Sequence, residues 1–417
     1  MLASLAIGES RIEGLLEGED VLATAEALRA MGADIARGDD GTWRVHGVGV
    51  GGLLQPEAAL AMGNSGTSTR LLMGLVASHA ITATFTGDAS LSRRPMGRVI
   101  EPLGLMGADF TAGPGGTLPL TMRGLCPAVP IAYRLPVASA QVKSAILLAG
   151  LNAPGVTRVI EPIPTRDHSE RVLAGFGAGI EIGEEDGARV IAIHGEADLR
   201  PQSLAIPGDP SSAAFPLVAA LLVPGSEVTV TNVGMNPTRA GLFRMLEAMG
   251  ADLTYANARE IGGEPVADIT ARHSALTGID VPSDIAPSMI DEFPILFIAA
   301  ALAEGRTVTR GLEELRVKES DRLATMAEGL RAIGARVEER EDGLVVEGTG
   351  GAPFPGGAMI ATRLDHRVAM AFAVAGLASA RPITIDDVTP VATSFPTFDD
   401  VLANLGAGQR PREERAA

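Results

Sequence analysis

The chain has 417 residues and a net charge of −17, and only 3% of its residues are aromatic. Such an acidic chain lacks the basic surface and the aromatic stacking platforms with which proteins bind nucleic acids, so nucleic acid is not expected as a partner. A hydrophobic content of 46% indicates a globular protein with enough residues for two domains.

The N-terminal segment MLASLAIGES has no basic residues before its apolar stretch and becomes polar too early for a signal peptide. No apolar run approaches the about 20 uncharged residues that a membrane span requires. The single cysteine, Cys126, excludes an internal disulfide and is expected to be a small buried filler rather than a nucleophile. We therefore expect a cytoplasmic protein that does not contact membranes.

A sequence motif, here called a phrase, recurs along the chain at spacings of roughly 70 to 85 residues. In this motif a helical pattern ends in Gly-Ala. A glycine just past a helix end is typical of a left-handed cap. In most copies two short alternating segments follow, which predict a β-hairpin. The glycines are Gly32, Gly107, Gly177, Gly250, Gly334 and Gly406.

A second phrase, a polar turn that opens an almost wholly apolar helix, lies between copies of the first. Its apolar helix is expected to be buried between sheets, and a strand-like segment such as SEVTVTNV follows it. With three repeats per domain, we predict domains at 1–206 and 207–417 and a ligand cleft between them. The five copies begin GNSGTSTR, ASAQVKSA, GDPSSAAF, DEFPILF and LDHRVAM.

The repeats at the two ends of the chain are expected to be incomplete. One period before Asn64 falls ahead of residue 1, and LASLAIGESRIEGL is predicted to be the tail of such a helix and its strand. No hairpin is predicted after Gly406. A segment of roughly 20 to 35 residues, judged from the repeat period, would complete both repeats. We expect a chain without it to have much reduced turnover or none.

Basic residues are concentrated at the polar helix openings. A cation at a helix N-terminus opposes the dipole unless an anion compensates, so the set predicts bound phosphate or carboxylate groups. The alternative for each one is an ordinary ion pair. The residues are Arg70, Arg93, Arg94, Lys143, Arg166, Arg239, Lys318, Arg322 and Arg367.

The segment RVKESDRL combines charges of both signs at the start of a predicted helix. Lys318 and Arg322 could neutralise an anion while Glu319 or Asp321 moves protons. The alternative is a capped helix with Ser320 at the N-cap and acids in the first turn.

The other polar motifs have structural alternatives. Asp291 and Glu292 of DEFP are either a helix cap or a base. The stretch GVGVGG at 47–52 matches a dinucleotide-binding pattern, but its context argues against such a site. Only His168 and His366 of the histidines lie in polar openings, and no H-x-x-x-H pair exists, so no metal site is expected.

The motifs GNSGTSTR, RRPMGR, SAQVKSA, GDPSSAAF, KESDRL and LDHRVAM together resemble the 5-enolpyruvylshikimate-3-phosphate synthases along essentially the whole chain. SAQVKSA and TRDH are similar to the bacterial branch that includes glyphosate-tolerant enzymes. The resemblance implies an α/β (α+β) fold of two domains, each of three βαβαββ repeats around buried parallel helices. It also implies a monomer that needs no cofactor and transfers the enolpyruvyl group of phosphoenolpyruvate to the 5-hydroxyl of shikimate 3-phosphate.

The resemblance also implies roles for individual residues. Asp291 would accept the proton of the attacking hydroxyl, and Glu319 would protonate and deprotonate the methylene carbon. Arginines suit both substrates, which are phosphorylated carboxylates. Phosphoenolpyruvate would contact Gly66, Arg94, Gln141, Arg322 and Arg367, and shikimate 3-phosphate would contact Ser139, Ala140, Gln141, Arg166, Asp291 and Lys318.

Two departures from the family pattern leave rival functions open. The family's opening P-G-[SD]-K-S-x-[ST]-x-R is absent, and Thr393 stands where many members have a phosphoenolpyruvate-binding lysine. One rival is a non-catalytic protein that keeps the substrate-binding arginines. Another is a UDP-N-acetylglucosamine enolpyruvyl transferase, although the loop cysteine of that family is missing near Ser92.

Overall fold

The computed structural model describes residues 1–407, which form two compact units. The first unit consists of Met1–Ile206 with Ile261–Gly263, and the second of Pro207–Glu260 with the described residues from Glu264 onward. Each unit encloses a hydrophobic core of its own. No helix among the described residues is long and apolar enough to span a membrane.

The first unit alternates helices with short strands, as the repeated phrases predict. Its helices are α1 Glu19–Ala30, α2 Gly66–Ala77, α3 Gly97–Leu105, α4 Ala140–Gly150 and α5 His168–Gly175. Its strands are β1 Gly8–Glu13, β2 Asp34–Arg37, β3 Trp43–Gly47, β4 Leu60–Ala61, β5 Thr82–Thr86, β6 Asp109–Gly113, β7 Thr117–Arg123, β8 Ala132–Arg134, β9 Val156–Glu161, β10 Ile180–Glu185, β11 Ala188–His194 and β12 Ser203–Ala205.

Residues 1–206 build three four-stranded sheets on one plan. In each, a parallel edge strand pairs with the strand that follows the buried helix, and a hairpin completes the sheet in antiparallel fashion. The orders are β12-β1-β3-β2, β4-β5-β7-β6 and β8-β9-β11-β10. Because β12 pairs with β1, with Arg11 opposite Ser203, the last segment of the unit completes the first sheet.

The second unit repeats the same alternation around α6, α8 and α10, which pack on one another. Its sheets have the orders β13-β15-β14, β16-β18-β17 and β19-β20 within residues 207–407. The helices are α6 Pro210–Leu222, α7 Gly241–Ala248, α8 Phe293–Leu302, α9 Arg322–Ala332, α10 His366–Leu377 and α11 Phe398–Asn404. The strands are β13 Glu227–Gly234, β14 Asp252–Ile261, β15 Glu264–Arg272, β16 Arg306–Val308, β17 Arg336–Arg340, β18 Gly343–Glu347, β19 Met359–Ile360 and β20 Thr384–Ile385.

The predicted glycine caps and buried helices are confirmed. All six glycines are left-handed, with φ between 83° and 100°. In each case the glycine N–H and the N–H of the following alanine bond back to the last helical turn, as Ala33 does to the Leu28 carbonyl at 3.1 Å. This is the Schellman motif, which satisfies carbonyls that the helix end leaves open. The five polar openings likewise begin α2, α4, α6, α8 and α10.

The structure also tests the predictions for the N-terminal segment and for the G-x-G-x-x-G stretch. Residues Leu2–Leu5 form one buried helical turn before β1, as predicted for the tail of a helix and its strand. The G-x-G-x-x-G stretch is followed by the strand β4 and not by a helix, so the dinucleotide context is missing. The prediction that no hairpin follows Gly406 lies outside the described residues.

The expectation that Cys126 is buried is wrong, because its side chain is exposed. It lies in the connection from β7 to β8, and connections of this kind run over the protein surface. Its sulfur has the Asn152 side-chain amide at 3.5 Å.

Candidate active site

In the first unit, the polar openings of α2 and α4 lie beside each other, and these two helices pack together. Ser65 is the N-cap of α2, and its hydroxyl accepts the N–H of Ser68 at 3.2 Å. Ser139 is the N-cap of α4, with its hydroxyl 3.4 Å from the N–H of Val142. Both openings therefore supply helix N-termini, where an anion is stabilised.

Gly66 and Arg94 meet at the start of α2. The Arg94 guanidinium donates to the Asn64 side-chain oxygen at 2.5 Å, and the Asn64 amide in turn donates to Asp88 at 2.6 Å. A methyl group on Gly66 would lie 2.8 Å from Arg70 Nη1 and 3.1 Å from Arg94 Nη1. The glycine therefore leaves the space in which the two guanidinium groups lie.

Gln141 joins this group from the first turn of α4. Its side-chain oxygen accepts from Arg70 Nη1 at 3.0 Å, and its side-chain nitrogen donates to the Thr67 hydroxyl at 2.8 Å. Arg70 also donates to the Gly66 carbonyl at 3.2 Å. The structure thus brings together Gly66, Arg94 and Gln141, the residues of this unit that the family resemblance assigns to phosphoenolpyruvate.

The four residues assigned to shikimate 3-phosphate in this unit lie at two places. Ser139, Ala140 and Gln141 form the start of α4, and each is partly exposed. Arg166 lies in the connection from β9 to α5, and its carbonyl oxygen accepts from Lys143 Nζ at 2.9 Å. Lys143 therefore links the two places.

For Lys143, one of the cations at the helix openings, the structure favours the ion-pair alternative. Its side chain is 0% exposed, and its ammonium group lies 2.8 Å from Glu170 Oε1 and 3.1 Å from Glu161 Oε1. Two carboxylates from other elements satisfy the charge, so the ion-pair alternative applies. No local signal in the sequence indicates these partners, because Glu170 lies 27 residues further along the chain.

In the second unit, Arg322 lies at the first position of α9 with its side chain only 1% exposed. Its guanidinium donates to Asp365 at 2.8 Å, to Glu319 at 2.5 Å and to Asp291 at 3.3 Å. Burial alone would lower the pKa of Arg322, but Asp365, Glu319 and Asp291 together raise that pKa above its usual value. One permanently charged group therefore connects Asp291 and Glu319, the two predicted proton-transfer residues.

The side chains of the two carboxylates are more exposed than the side chain of Arg322. The side chains of Asp291 and Glu319 are 16% and 18% exposed. A cation in hydrogen-bonding contact favours the ionised form of a carboxylate. The arrangement can therefore accept a proton at one place and exchange one at another.

Lys318 and Arg367 are the partly exposed cations of this cluster. Among residues 1–407, the Lys318 ammonium has no hydrogen-bond or ion-pair partner, so it is available to an anion. The Arg367 guanidinium contacts the Asp291 carbonyl at 3.4 Å, and its backbone N–H donates to Asp365 at 3.0 Å. Thr393, the departure from the family pattern, donates its hydroxyl to the Pro390 carbonyl at 2.7 Å.

The prediction that Ser320 caps α9 is wrong by one residue. The N-cap is Asp321, whose carboxylate accepts the N–H of Ala324 at 3.0 Å and pairs with Arg316 at 2.9 Å. Ser320 instead donates to Asp365 at 3.0 Å. Asp321 therefore has the structural role, and Glu319 is the acid of this segment that contacts Arg322.

The structure also shows whether the acids of DEFP cap a helix and whether Arg239 has partners within the protein. Glu292 occupies the N-cap position of α8, but its side chain makes no capping bond and accepts from the Ser211 hydroxyl. Arg239 lies 3.2 Å from Asp209 and 3.7 Å from Glu292, so the ion-pair alternative applies to this arginine. Asp291 is left as the carboxylate of DEFP that faces the cluster around Arg322.

Asp365 is the residue of this cluster that sequence reasoning missed. The position of an aspartate before an apolar helix predicts a cap, and Asp365 does cap α10. Its contact with Arg322, 43 residues away, leaves no local signal.

Comparison with known proteins finds relatives that match nearly the whole described chain. The family model for EPSP synthase (3-phosphoshikimate 1-carboxyvinyltransferase) matches residues 1–402. The 3-phosphoshikimate 1-carboxyvinyltransferase of Sphingopyxis alaskensis is 70% identical over 410 residues, which cover 97% of this chain and 92% of that protein. The structure of EPSP synthase from Acinetobacter baumannii has a TM-score of 0.85 at 49% identity and covers 98% of this chain and 92% of its own.

A more distant structure shares the fold alone. The enolpyruvyl transferase NikO from Streptomyces tendae has a TM-score of 0.76 at 21% identity, over 97% of this chain and 91% of its own. The two-unit α/β architecture is therefore common to chains whose sequences have diverged widely. The polar clusters described above, and not the fold, are what distinguish one such chain from another.

Proposed function

Because the chain belongs to the EPSP synthase (3-phosphoshikimate 1-carboxyvinyltransferase) family, we propose that Asp291 and Glu319 are its acid–base pair. The enzyme is a transferase of the shikimate pathway to aromatic amino acids, and the family's substrates are phosphoenolpyruvate and shikimate 3-phosphate. The observation that supports the pair is their shared contact with the buried Arg322. The relative reported above carries the name 3-phosphoshikimate 1-carboxyvinyltransferase, which favours this activity over that of the rival UDP-N-acetylglucosamine enolpyruvyl transferase.

The reaction needs one base and one acid that act in turn. In the addition step Asp291 takes the proton of the 5-hydroxyl of shikimate 3-phosphate while that oxygen bonds to C2 of phosphoenolpyruvate. Glu319 delivers a proton to C3, which converts the methylene into a methyl group. In the elimination step Glu319 removes a proton from that methyl group, the C2–C3 double bond re-forms, and the C2–O bond to phosphate breaks. The proton taken by Asp291 passes to the leaving phosphate, so both carboxyl groups return to their starting forms.

The cations suit substrates that each carry a phosphate and a carboxylate. In the first unit we assign Gly66, Arg94 and Gln141 to phosphoenolpyruvate, and Ser139, Ala140, Gln141 and Arg166 to shikimate 3-phosphate. In the second unit we assign Arg322 and Arg367 to phosphoenolpyruvate, and Asp291 and Lys318 to shikimate 3-phosphate. The Lys318 ammonium has no partner in the part of the chain that the structure describes, which supports its assignment, because an unpaired cation gains most from a bound anion. Domains at 1–206 and 207–417, a monomer and a cytoplasmic location stay predictions.

Steady-state kinetics of Asp291→Asn and Glu319→Gln test this proposal through phosphate release from the two substrates. Each variant keeps the size of the side chain and removes its proton exchange, so we expect kcat to fall about 10²- to 10⁴-fold. Asp321→Asn is the matched control, since Asp321 lies two residues from Glu319 but caps α9. Asparagine caps helices as well as aspartate does, so kcat is expected to be retained. Full activity in Asp291→Asn would refute the assignment.

A further inference from the structure

Lys143 is a buried cation that the proposed reaction does not use. It lies on α4, two residues after Gln141 and four after Ser139, and its side chain is 0% exposed. A lysine ammonium has three donors and no acceptor. Here the three nearest acceptors are Glu170 Oε1 at 2.8 Å, the Arg166 carbonyl oxygen at 2.9 Å and Glu161 Oε1 at 3.1 Å.

These three acceptors belong to one stretch of chain. Glu161 is the last residue of β9, Arg166 lies in the connection that follows, and Glu170 lies in the first turn of α5. Within the connection the Thr165 hydroxyl also donates to Glu161. Lys143 therefore contacts the beginning, the middle and the end of this connection and links all three to α4. The residues Ser139, Ala140 and Gln141 lie at the start of the same helix.

Burying the charges of Lys143, Glu161 and Glu170 carries a desolvation penalty that offsets much of what their attraction contributes to stability. Lys143 and Arg189 balance the charges of Glu161 and Glu170, with Arg189 at 3.7 Å and 3.5 Å from the two carboxylates. The second oxygen of each glutamate is buried without a hydrogen-bond partner within residues 1–407. Buried ion pairs of this kind are often no more stable than apolar residues of the same volume. What this arrangement provides is a fixed place for the backbone of Arg166.

We propose that Lys143 is a positioning residue that sets Arg166 against the first turn of α4 and thereby determines the affinity for shikimate 3-phosphate. The inference rests on the proposed function, in which Arg166 and the start of α4 bind that substrate. Lys143 contacts the backbone of Arg166 and not the substrate, so it acts through geometry. Small displacements of a substrate-binding group are known to have large effects on binding and rate.

The test is the kinetics of Lys143→Met with both substrates varied in turn. Methionine keeps the length of the side chain and removes all three donors. We expect KM for shikimate 3-phosphate to rise about 10- to 100-fold while KM for phosphoenolpyruvate stays near the wild-type value. If the single variant does not fold, Lys143→Met combined with Glu170→Gln removes one charge of each sign and leaves Glu161 balanced by Arg189. The same rise in KM is expected of it.

Arg189→Met is the matched control. Arg189 contacts the same two glutamates, but Arg166 is not among its partners within the described residues. We expect this variant to lower thermal stability without changing either KM. A rise in KM for shikimate 3-phosphate equal to that of Lys143→Met, at a similar loss of stability, would reduce Lys143 to a structural role and overturn the inference. An unchanged KM in the lysine variants would overturn it as well.

The wild-type enzyme separates this inference from the proposed function. If wild type neither binds the two substrates nor releases phosphate from them, the proposed function fails. If wild type is active and the lysine variants bind shikimate 3-phosphate as wild type does, only the positioning role fails. Calorimetric titration with shikimate 3-phosphate alone measures that affinity without turnover.

Discussion

Asp365 holds three separate groups of the second unit with two carboxylate oxygens. Its side chain is 0% exposed, and it accepts from Arg322 Nε at 2.8 Å, from the Ser320 hydroxyl at 3.0 Å and from the Arg367 N–H at 3.0 Å. Hydrogen bonds to a charged partner are about twice as strong as neutral ones. Because Asp365 fixes the guanidinium of Arg322, it also fixes the donors that reach Asp291 and Glu319.

We expect Asp365→Asn to lower the free energy of unfolding by about 3 kcal/mol, because it leaves the buried Arg322 charge without its fully buried partner. Chemical denaturation of the variant and of wild type measures the difference. Ser320→Ala is the control, since it removes a single bond to the same carboxylate and is expected to cost about 1 kcal/mol. Equal losses in the two variants would show that the charge of Asp365 has no special importance.

Lys143 and Arg239 show which question about the cations the sequence leaves open. Lys143 and Arg239 stand at helix openings, as anion-binding residues do, but their partners come from distant segments. Periodicity and spacing describe what lies within a few residues of a position. Which cation is neutralised by the fold and which, like Lys318 among residues 1–407, has no partner depends on contacts that only tertiary structure creates.

Helix ends are the elements that the sequence predicts best. All six glycine caps and all five polar openings are found where they were predicted, because a cap is decided by residues within one turn. Ser320 and Asp321 show the limit. Serine and aspartate are equally good caps, and the choice depends on Arg316 and Asp365, which lie outside the helix.

The Schellman glycines permit a graded prediction of stability. Gly250 and Gly334 have similar φ angles of 89° and 96°, but an added Cβ would meet nothing closer than 3.8 Å at Gly250 and would lie 2.6 Å from Pro355 Cγ at Gly334. Gly250→Ala therefore carries only the cost of a left-handed alanine, about 1 kcal/mol. Gly334→Ala also forces its loop to move and is expected to cost about 1 to 3 kcal/mol more. Denaturation of both variants gives the order, and a reversed order would contradict the packing at Gly334.

At the scale of the whole chain, the sequence predicted the repeat but not the strand pairing that joins the end of the first unit to its beginning. The recurrence of two phrases predicted the alternation of helices and strands in both units. The pairing of β12 with β1 was not predicted, because SLA is too short for a periodic signal and Arg11 and Ser203 are far apart in sequence. The cores follow the repeats, since α8 is apolar on all sides and is buried throughout.

The stability of the molecule should depend on pH through His366. Burial, with Arg367 as the next cause, lowers the pKa of His366 to about 4 from the ordinary value of 6.5. Between these two values the unfolded chain binds a proton that the folded chain does not, so folding loses stability as the pH falls. The loss is about 1.4 kcal/mol per pH unit, is absent above pH 6.5 and levels off below the folded pKa.

His366→Gln isolates this contribution from the carboxylates that also titrate in an acidic protein with a net charge of −17. Glutamine carries no proton in this range, so wild type should lose about 3 kcal/mol more than the variant between pH 6.5 and pH 4. Denaturant unfolding of both proteins at half-unit intervals of pH measures that difference. If the stability curves of wild type and variant are parallel, His366 is charged in the folded protein and the expectation is wrong. Asp365 and Glu319 would then have to outweigh the repulsion from Arg367 and Arg322.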